Sequence, residues 1–169
     1  MARVTYSNLF TESRKNLVSL ISNKSNVSDP VTSSSESRKW IYSREPDVKS
    51  NDFSGYPFII VHPASFTVDE RSSLNLKSKT VFWDIEVEII ASDRGYGAAD
   101  GKGQSNLDAI SNDVMETLLN ATNRMTLSQN GMFFSSPQTT SVVSEIIDNE
   151  RVYRRSIMCS FKSRMQVSA

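Results

Sequence analysis

Asp84, Glu86 and Glu88 stand at every second position of the stretch 79–90. In an extended chain that spacing puts three carboxylates on one face of a strand. Such a face can hold a hard cation, because Ca²⁺ and Mg²⁺ are bound through oxygen. No EF-hand-like loop accompanies the three acids, so a solvated or partner-facing sheet surface is the preferred reading and no metal is expected. The opposite sign comes late in the chain, in Arg151, Arg154, Arg155, Lys162 and Arg164, with no acid between them. Two readings stay open for this run: an ordinary charged face, or a surface that pairs with an acidic face, including that of a neighbouring copy. Segregated charge in a neutral chain suits oriented docking between proteins.

His62 is the sole histidine and Cys159 the sole cysteine. A His-based metal cluster and the usual zinc ligand sets are therefore excluded. A nucleophile–base pair of Cys159 and His62 would require both in one cleft. Cys159 occupies an apolar position of a strand pattern and reads as a small buried hydrophobe. His62, followed by Pro63, reads as the end of a strand.

Gly95, Gly97, Gly101 and Gly103 fall between a strand and a helix, the place where phosphate-binding loops occur. The dinucleotide fingerprint would need glycine at position 100, which is Asp100. The P-loop would need glycine where Tyr96 stands, and Ser or Thr where Gly103 follows Lys102. A flexible connection is the better reading. No cofactor is expected, and the chain is expected not to be an enzyme.

The elements that must carry these residues follow from periodicity. Residues 7–21 place Phe10, Leu17, Leu20 and Ile21 on one side of a helix, with Ser7 as N-cap. Residues 40–42 form a short aromatic strand, and Phe58 to Val61 a buried one closed by His62-Pro63. The clearest strand is 79–90, where Val81, Trp83, Ile85, Val87 and Ile89 alternate with the acids. Leu107, Ile110, Val114 and Leu118 recur at helical spacing over 105–120, with Ser105 as cap. A turn region leads to a short strand at 132–134. Residues 139–147 and 151–165 then form a hairpin about Asp148-Asn149-Glu150. The fold class is α+β, a mostly antiparallel sheet with two main helices packed on one face.

With 169 residues, 38% of them hydrophobic, the chain fits a single domain over 1–169. Long polar loops or arms interrupt it at about 22–39 and 92–104. Lys plus Arg equal Asp plus Glu at 19 each, so the basic excess of a phosphate-reading protein is missing. The first ten residues lack an apolar signal region, and no stretch is apolar enough to span a bilayer. A lone cysteine gives no internal disulfide. The expectation is a soluble protein made in a reducing cytoplasm, without membrane contact.

This order of elements resembles the tail terminator family of long-tailed bacteriophages, the tail completion proteins similar to minor tail protein U. The resemblance rests on the amphipathic helix 10–21, the segment Tyr56-Pro57-Phe58-Ile59-Ile60-Val61, and the alternating strand 81–90. It extends to the helix 107–119 and the closing Val152-Tyr153-Arg154-Arg155-Ser156-Ile157. It covers most of the chain and is one of order and texture, with no invariant signature.

The resemblance implies a virion protein of the tail or neck, assembled in the host cytoplasm. Such proteins form a ring, usually six-fold, on the head-proximal end of the tail tube. They end tube polymerisation and present a surface to the head connector, with DNA passing only through the lumen. A head-completion or neck adaptor protein is the neighbouring alternative; a small-ligand-binding or enzymatic domain is the distant one. A ring needs two different patches per subunit. The acidic face of Asp84, Glu86 and Glu88 and the basic strand of Arg151, Arg154, Arg155, Lys162 and Arg164 are the candidates. Reversal of Arg154 and Arg155 to Glu is expected to weaken assembly and leave the monomer folded.

Overall fold

The alternation of apolar and polar residues at 79–90 sets the architecture, because a two-sided strand needs a neighbour on each edge and a layer on its apolar face. The computed structural model describes residues 1–23, 25–31, 38–51, 53–69, 78–93 and 102–166. After a 3-10 turn at Tyr6–Asn8 come α1 (Leu9–Ile21), β1 (Ile41–Tyr42), β2 (Phe58–Asp69) and β3 (Ser78–Ser92). They are followed by α2 (Gly103–Leu119), α3 (Ala121–Gln129), β4 (Phe133–Thr139), β5 (Val143–Ile147) and β6 (Glu150–Gln166). The sheet runs β1-β2-β3-β6-β4, with β5 beside the first half of β6. All pairings are antiparallel except the two-residue parallel contact of β1 with β2. The expected α+β class is the observed one.

Directly paired residues share a face of a sheet, so the register fixes the core. Val81, Trp83, Ile85, Val87 and Ile89 of β3 lie beside Ile157, Cys159 and Phe161 of β6 in one buried layer. Leu9, Leu17, Leu20 and Ile21 of α1 and Leu107, Ile110, Val114 and Leu118 of α2 cover it. Each fully buried aliphatic side chain there contributes about 1.5–3 kcal/mol. Trp83 stacks on Phe161 at 5.7 Å between ring centres, and Phe134 lies 5.3 Å from Phe161. The opposite face carries a smaller cluster of Tyr42, Phe58, Ile60, Ile90 and Val152, roofed by Phe53 and Tyr56.

Several expected boundaries move. β2 does not end at His62-Pro63 but continues to Asp69, with a register shift between Pro63 and Ser65. Proline is tolerated there because, among the described residues, β1 reaches only Ile59 and Ile60, leaving that part of β2 as a sheet edge. β3 and β6 are a little longer than read, the strand expected at 132–134 extends to Thr139 as β4, and the one expected over 139–147 starts only at Val143 as β5.

α2 begins at Gly103, so Ser105 is an exposed first-turn residue and not the cap. A Cβ on Gly103 would come within 2.7 Å of the Ser92 carbonyl carbon, which makes this a close backbone approach that only glycine permits. α3 fills residues 121–129, for which no element was expected, and ends at the turn of Asn130-Gly131; Leu127 is its one buried residue. Its start is fixed by Asn120, whose side chain accepts from the amides of Thr122 and Asn123.

Candidate interaction surface

The face of the sheet turned away from the helices carries Phe82, Asp84, Glu86 and Glu88 from β3, and Arg154, Ser156, Met158, Ser160, Lys162 and Arg164 from β6. The acidic strand and the basic strand are thus immediate neighbours on one face, not two separate patches. Much of their charge is satisfied within the chain. Arg154 reaches Glu88 at 3.2 Å, Glu145 at 2.7 Å and Glu45 at 3.3 Å. Burial works against its positive charge, but the hydrogen bonds with Glu88 and Glu145 outweigh this and hold its pKa above the usual arginine value. Nearby, Tyr56 is pushed up first by burial and then by the Glu150 carboxylate.

The remaining candidates are placed as follows. Asp84 accepts from the hydroxyls of Ser65 and of Ser160, the latter at 2.6 Å. Glu86 lies 3.5 Å from His62 Nε2. Lys162 is exposed between Phe82 and Phe133 in a cross-strand row, and Arg164 Nε donates to Ser78 Oγ at 2.8 Å. Arg155 points the other way, toward the helices, and meets Asp108 of α2 at 2.9 Å. Arg151 is exposed opposite Ile146.

The conceivable nucleophile pair does not form. His62 shares the open face with Glu86, whereas Cys159 pairs with Ile85 on the core face. Burial, with a smaller effect of Asp84, pushes the Cys159 thiol up to about 12, the behaviour of an inert core thiol. Among the described residues no group of three His, Cys, Asp or Glu could hold a metal ion, and no helix is long and apolar enough to cross a membrane. Gly95, Gly97 and Gly101 lie outside the described residues, as do 32–37 of the first polar arm.

What the sequence reading did not single out is the apolar surface at the two lateral edges of the sheet. On one edge Ile146 is 72% exposed and Val143 58% in β5, with Phe133 at 50% in β4 and Met125 of α3 at 59%. A cleft of about 280 Å³ opens there between Met125, Phe133, Phe134 and Arg124. On the other edge Phe66 meets Tyr6 and Phe10 edge-to-face at 6.1 and 5.8 Å, all three partly exposed. Further along that edge a groove of about 600 Å³ runs beside β1. A β-branched run such as 142–147 announces a strand but not which side of it is covered. That is why the signal was invisible in one dimension.

No protein-family model matches the sequence, and no curated protein matches it. Among solved structures, one similar chain belongs to the virion of a native gene transfer agent particle. It is 14% identical, with 89% of this chain and 84% of that chain covered, at a TM-score of 0.37.

Proposed function

We propose that this chain is a structural virion protein that forms a ring on the head-proximal end of a phage tail tube. In that position it ends tube polymerisation and joins the tail to the head, working by surface complementarity and without catalysis. The observation that carries the reading is the presence of exposed apolar side chains on both lateral edges of one sheet. Val143, Ile146, Met125 and Phe133 lie on one edge, and Tyr6, Phe10 and Phe66 on the other. Isolated apolar residues on a surface are ordinary, but grouped ones mark contact sites. Two unlike contact sites on opposite sides of a subunit are what a closed cyclic ring requires. The resemblance of element order to the tail terminator family supplies the particle, the tube end and the six-fold expectation.

The test is tube assembly from the tube protein of the same particle, with and without this chain. The proposal expects added protein to stop elongation and to narrow the length distribution. Unchanged lengths, with the protein bound instead on the portal side, would return the neck-adaptor reading.

A further inference from the structure

We propose that free copies of this chain pair through β2, the exposed half of that strand in one copy lying antiparallel to the same half of a second copy about a two-fold axis at Phe66. The proposal concerns the protein off any particle and does not rest on the ring reading. It adds that one of the two sheet edges a ring would draw on is covered beforehand.

One side of β2 is left open. The strand runs from four buried residues, Phe58 to Val61, into five exposed ones, 63–67. Among the described residues β1 is its neighbour on that side and stops opposite Ile60. The direction of the backbone groups follows from the pairing. Ile59 donates its amide to the Trp40 carbonyl, so up to Pro63 the odd-numbered residues turn their backbone groups outward. The register shift between Pro63 and Ser65 reverses that order. Beyond it Ala64, Phe66 and Val68 turn outward, while Ser65 and Thr67 turn toward β3. None of the outward three is proline, so each offers a donor and an acceptor to a further strand.

The sequence about Phe66 is its own complement. Residues 64–68 read Ala-Ser-Phe-Thr-Val, with a hydroxyl and then a small apolar residue on either side of one aromatic. A second copy turned about Phe66 sets Phe66 against Phe66, Ser65 against Thr67 and Ala64 against Val68. The outward residues then exchange amide and carbonyl directly, with about 5.5 Å between paired Cα atoms. Ser65 and Thr67 meet on the open face as a cross-strand hydroxyl pair. On the helix face the two Phe66 rings meet, and Tyr6 and Phe10, already edge-to-face with Phe66, extend the aromatic cluster on both sides of the axis. No charged residue lies in 64–68, so the contact buries no charge and opposes no like charges.

The other lateral edge lacks these properties. Thr140 donates to the Ser156 carbonyl, so by the same alternation Pro137 faces outward from β4, where it has no amide to give. Glu145 is the middle residue of β5, and a two-fold centred there would set it against its own copy. An edge with neither proline nor charge is the one that accepts a copy of itself. Such a contact is isologous and stops at a dimer. While β2 is paired its edge is closed to any other partner, so a copy joining a ring must first leave its dimer.

The experiment is sedimentation velocity of the full chain carrying Phe66→Glu, which sets two carboxylates at the axis, or Val68→Pro, which removes an outward amide and leaves the ladder to β3 intact. Wild type is expected to sediment as a dimer, and each variant to keep its thermal midpoint and associate at least about tenfold more weakly. The register is read by cross-linking. Ser65→Cys mixed with Thr67→Cys is expected to give a disulfide-linked pair on mild oxidation, and either alone very little. If Phe66→Glu or Val68→Pro loses its fold, the cysteine mixture decides. A wild type that stays monomeric at millimolar concentration, a dimer indifferent to both variants, or a mixture that does not cross-link overturns the proposal and leaves the ring reading untouched. A free wild type that sediments as a larger closed ring overturns the dimer in favour of the ring. A dimer that forms as expected beside tubes that stay uncapped upholds this contact while the ring reading falls.

Discussion

Arg154 and Arg155 are adjacent in sequence, yet their guanidinium groups lie on opposite sides of the sheet, one 3.2 Å from Glu88 and the other 2.9 Å from Asp108. The strand pleat dictates this, since successive side chains point to opposite faces. It separates two residues that share one charge and one expected role. Arg154 pins the open face, joining β3, β5 and the segment after β1; Arg155 ties β6 to α2.

Reversal of Arg154 to Glu would set a fourth carboxylate among Glu45, Glu88 and Glu145. The variant is expected to lose about 2–4 kcal/mol in denaturant titration, because a half-buried charge network would lose the cation at its centre. Arg155→Ala is expected to cost no more than about 1 kcal/mol, its partner Asp108 being nearly half exposed. Equal losses for the two would contradict this assignment. Reversing both, expected to leave the monomer folded, would on this account still lower its stability through Arg154.

Arg38 holds the polar arm to the body. Its Nε lies 2.6 Å from Asp29 Oδ2, and its guanidinium also donates to the carbonyls of Ser54 and Gly55 at 3.0 and 2.7 Å. Both side chains are largely buried, at 11% and 7% exposure. Arg38→Ala would leave Asp29 without its cation and is expected to destabilise by about 3–5 kcal/mol. Combining it with Asp29→Asn is expected to recover part of that loss, which a double-mutant cycle measures.

Gly103→Ala is expected to destabilise by about 1–3 kcal/mol, since the added methyl meets the backbone of Ser92 and Asp93 and neither can move aside as a side chain would. Gly131→Ala tests a different cause, a backbone φ of +81° in the turn before β4. Thermal denaturation that leaves Gly103→Ala unchanged would place the start of α2 elsewhere.

Cys159 gives a pH dependence with a definite sign. The folded thiol keeps its proton to about pH 12, whereas the ordinary value of 9.0 applies to the unfolded chain. Below pH 9 both states are protonated and the thiol's contribution to stability is intact. Between these values the unfolded state sheds its proton and the folded state does not. Stability then falls by about 1.4 kcal/mol per pH unit. Tyr56, also raised, adds loss of the same sign from its ordinary value of 10.0 upward. Cys159→Ala is expected to flatten the stability profile between about pH 9 and 10.5 relative to wild type. The native thiol is expected to react with thiol reagents only on unfolding.

The legible parts of this chain were those in which one periodicity governs many residues. β3 shows a strict alternation from Val81 to Ile89, and α2 repeats Leu107, Ile110, Val114 and Leu118, so both were readable along with the sheet-and-helix layering. α3 was not, because its nine residues, Ala121–Gln129, bury only Leu127 and owe their start to the Asn120 cap. β2 beyond Pro63 was hidden because a proline in a strand is acceptable only at an edge, and edges are a property of the assembled sheet. Of the candidate charges, Arg154, Lys162 and Arg164 share the open face with Asp84, Glu86 and Glu88, whereas Arg151 and Arg155 fall at the other parity of β6. Their mutual pairing depended on β3 and β6 becoming neighbours, which no local pattern states. The apolar edges were hidden for the same reason.

The central claim is that the chain acts as a ring seated on a tube end. Cryo-electron microscopy of tail tubes incubated with the purified protein tests it most directly. The account predicts one closed ring of subunits, related by rotation and touching edge to edge, at a single end of every capped tube. Tubes bare at both ends, or decorated along their length by isolated subunits, would contradict it.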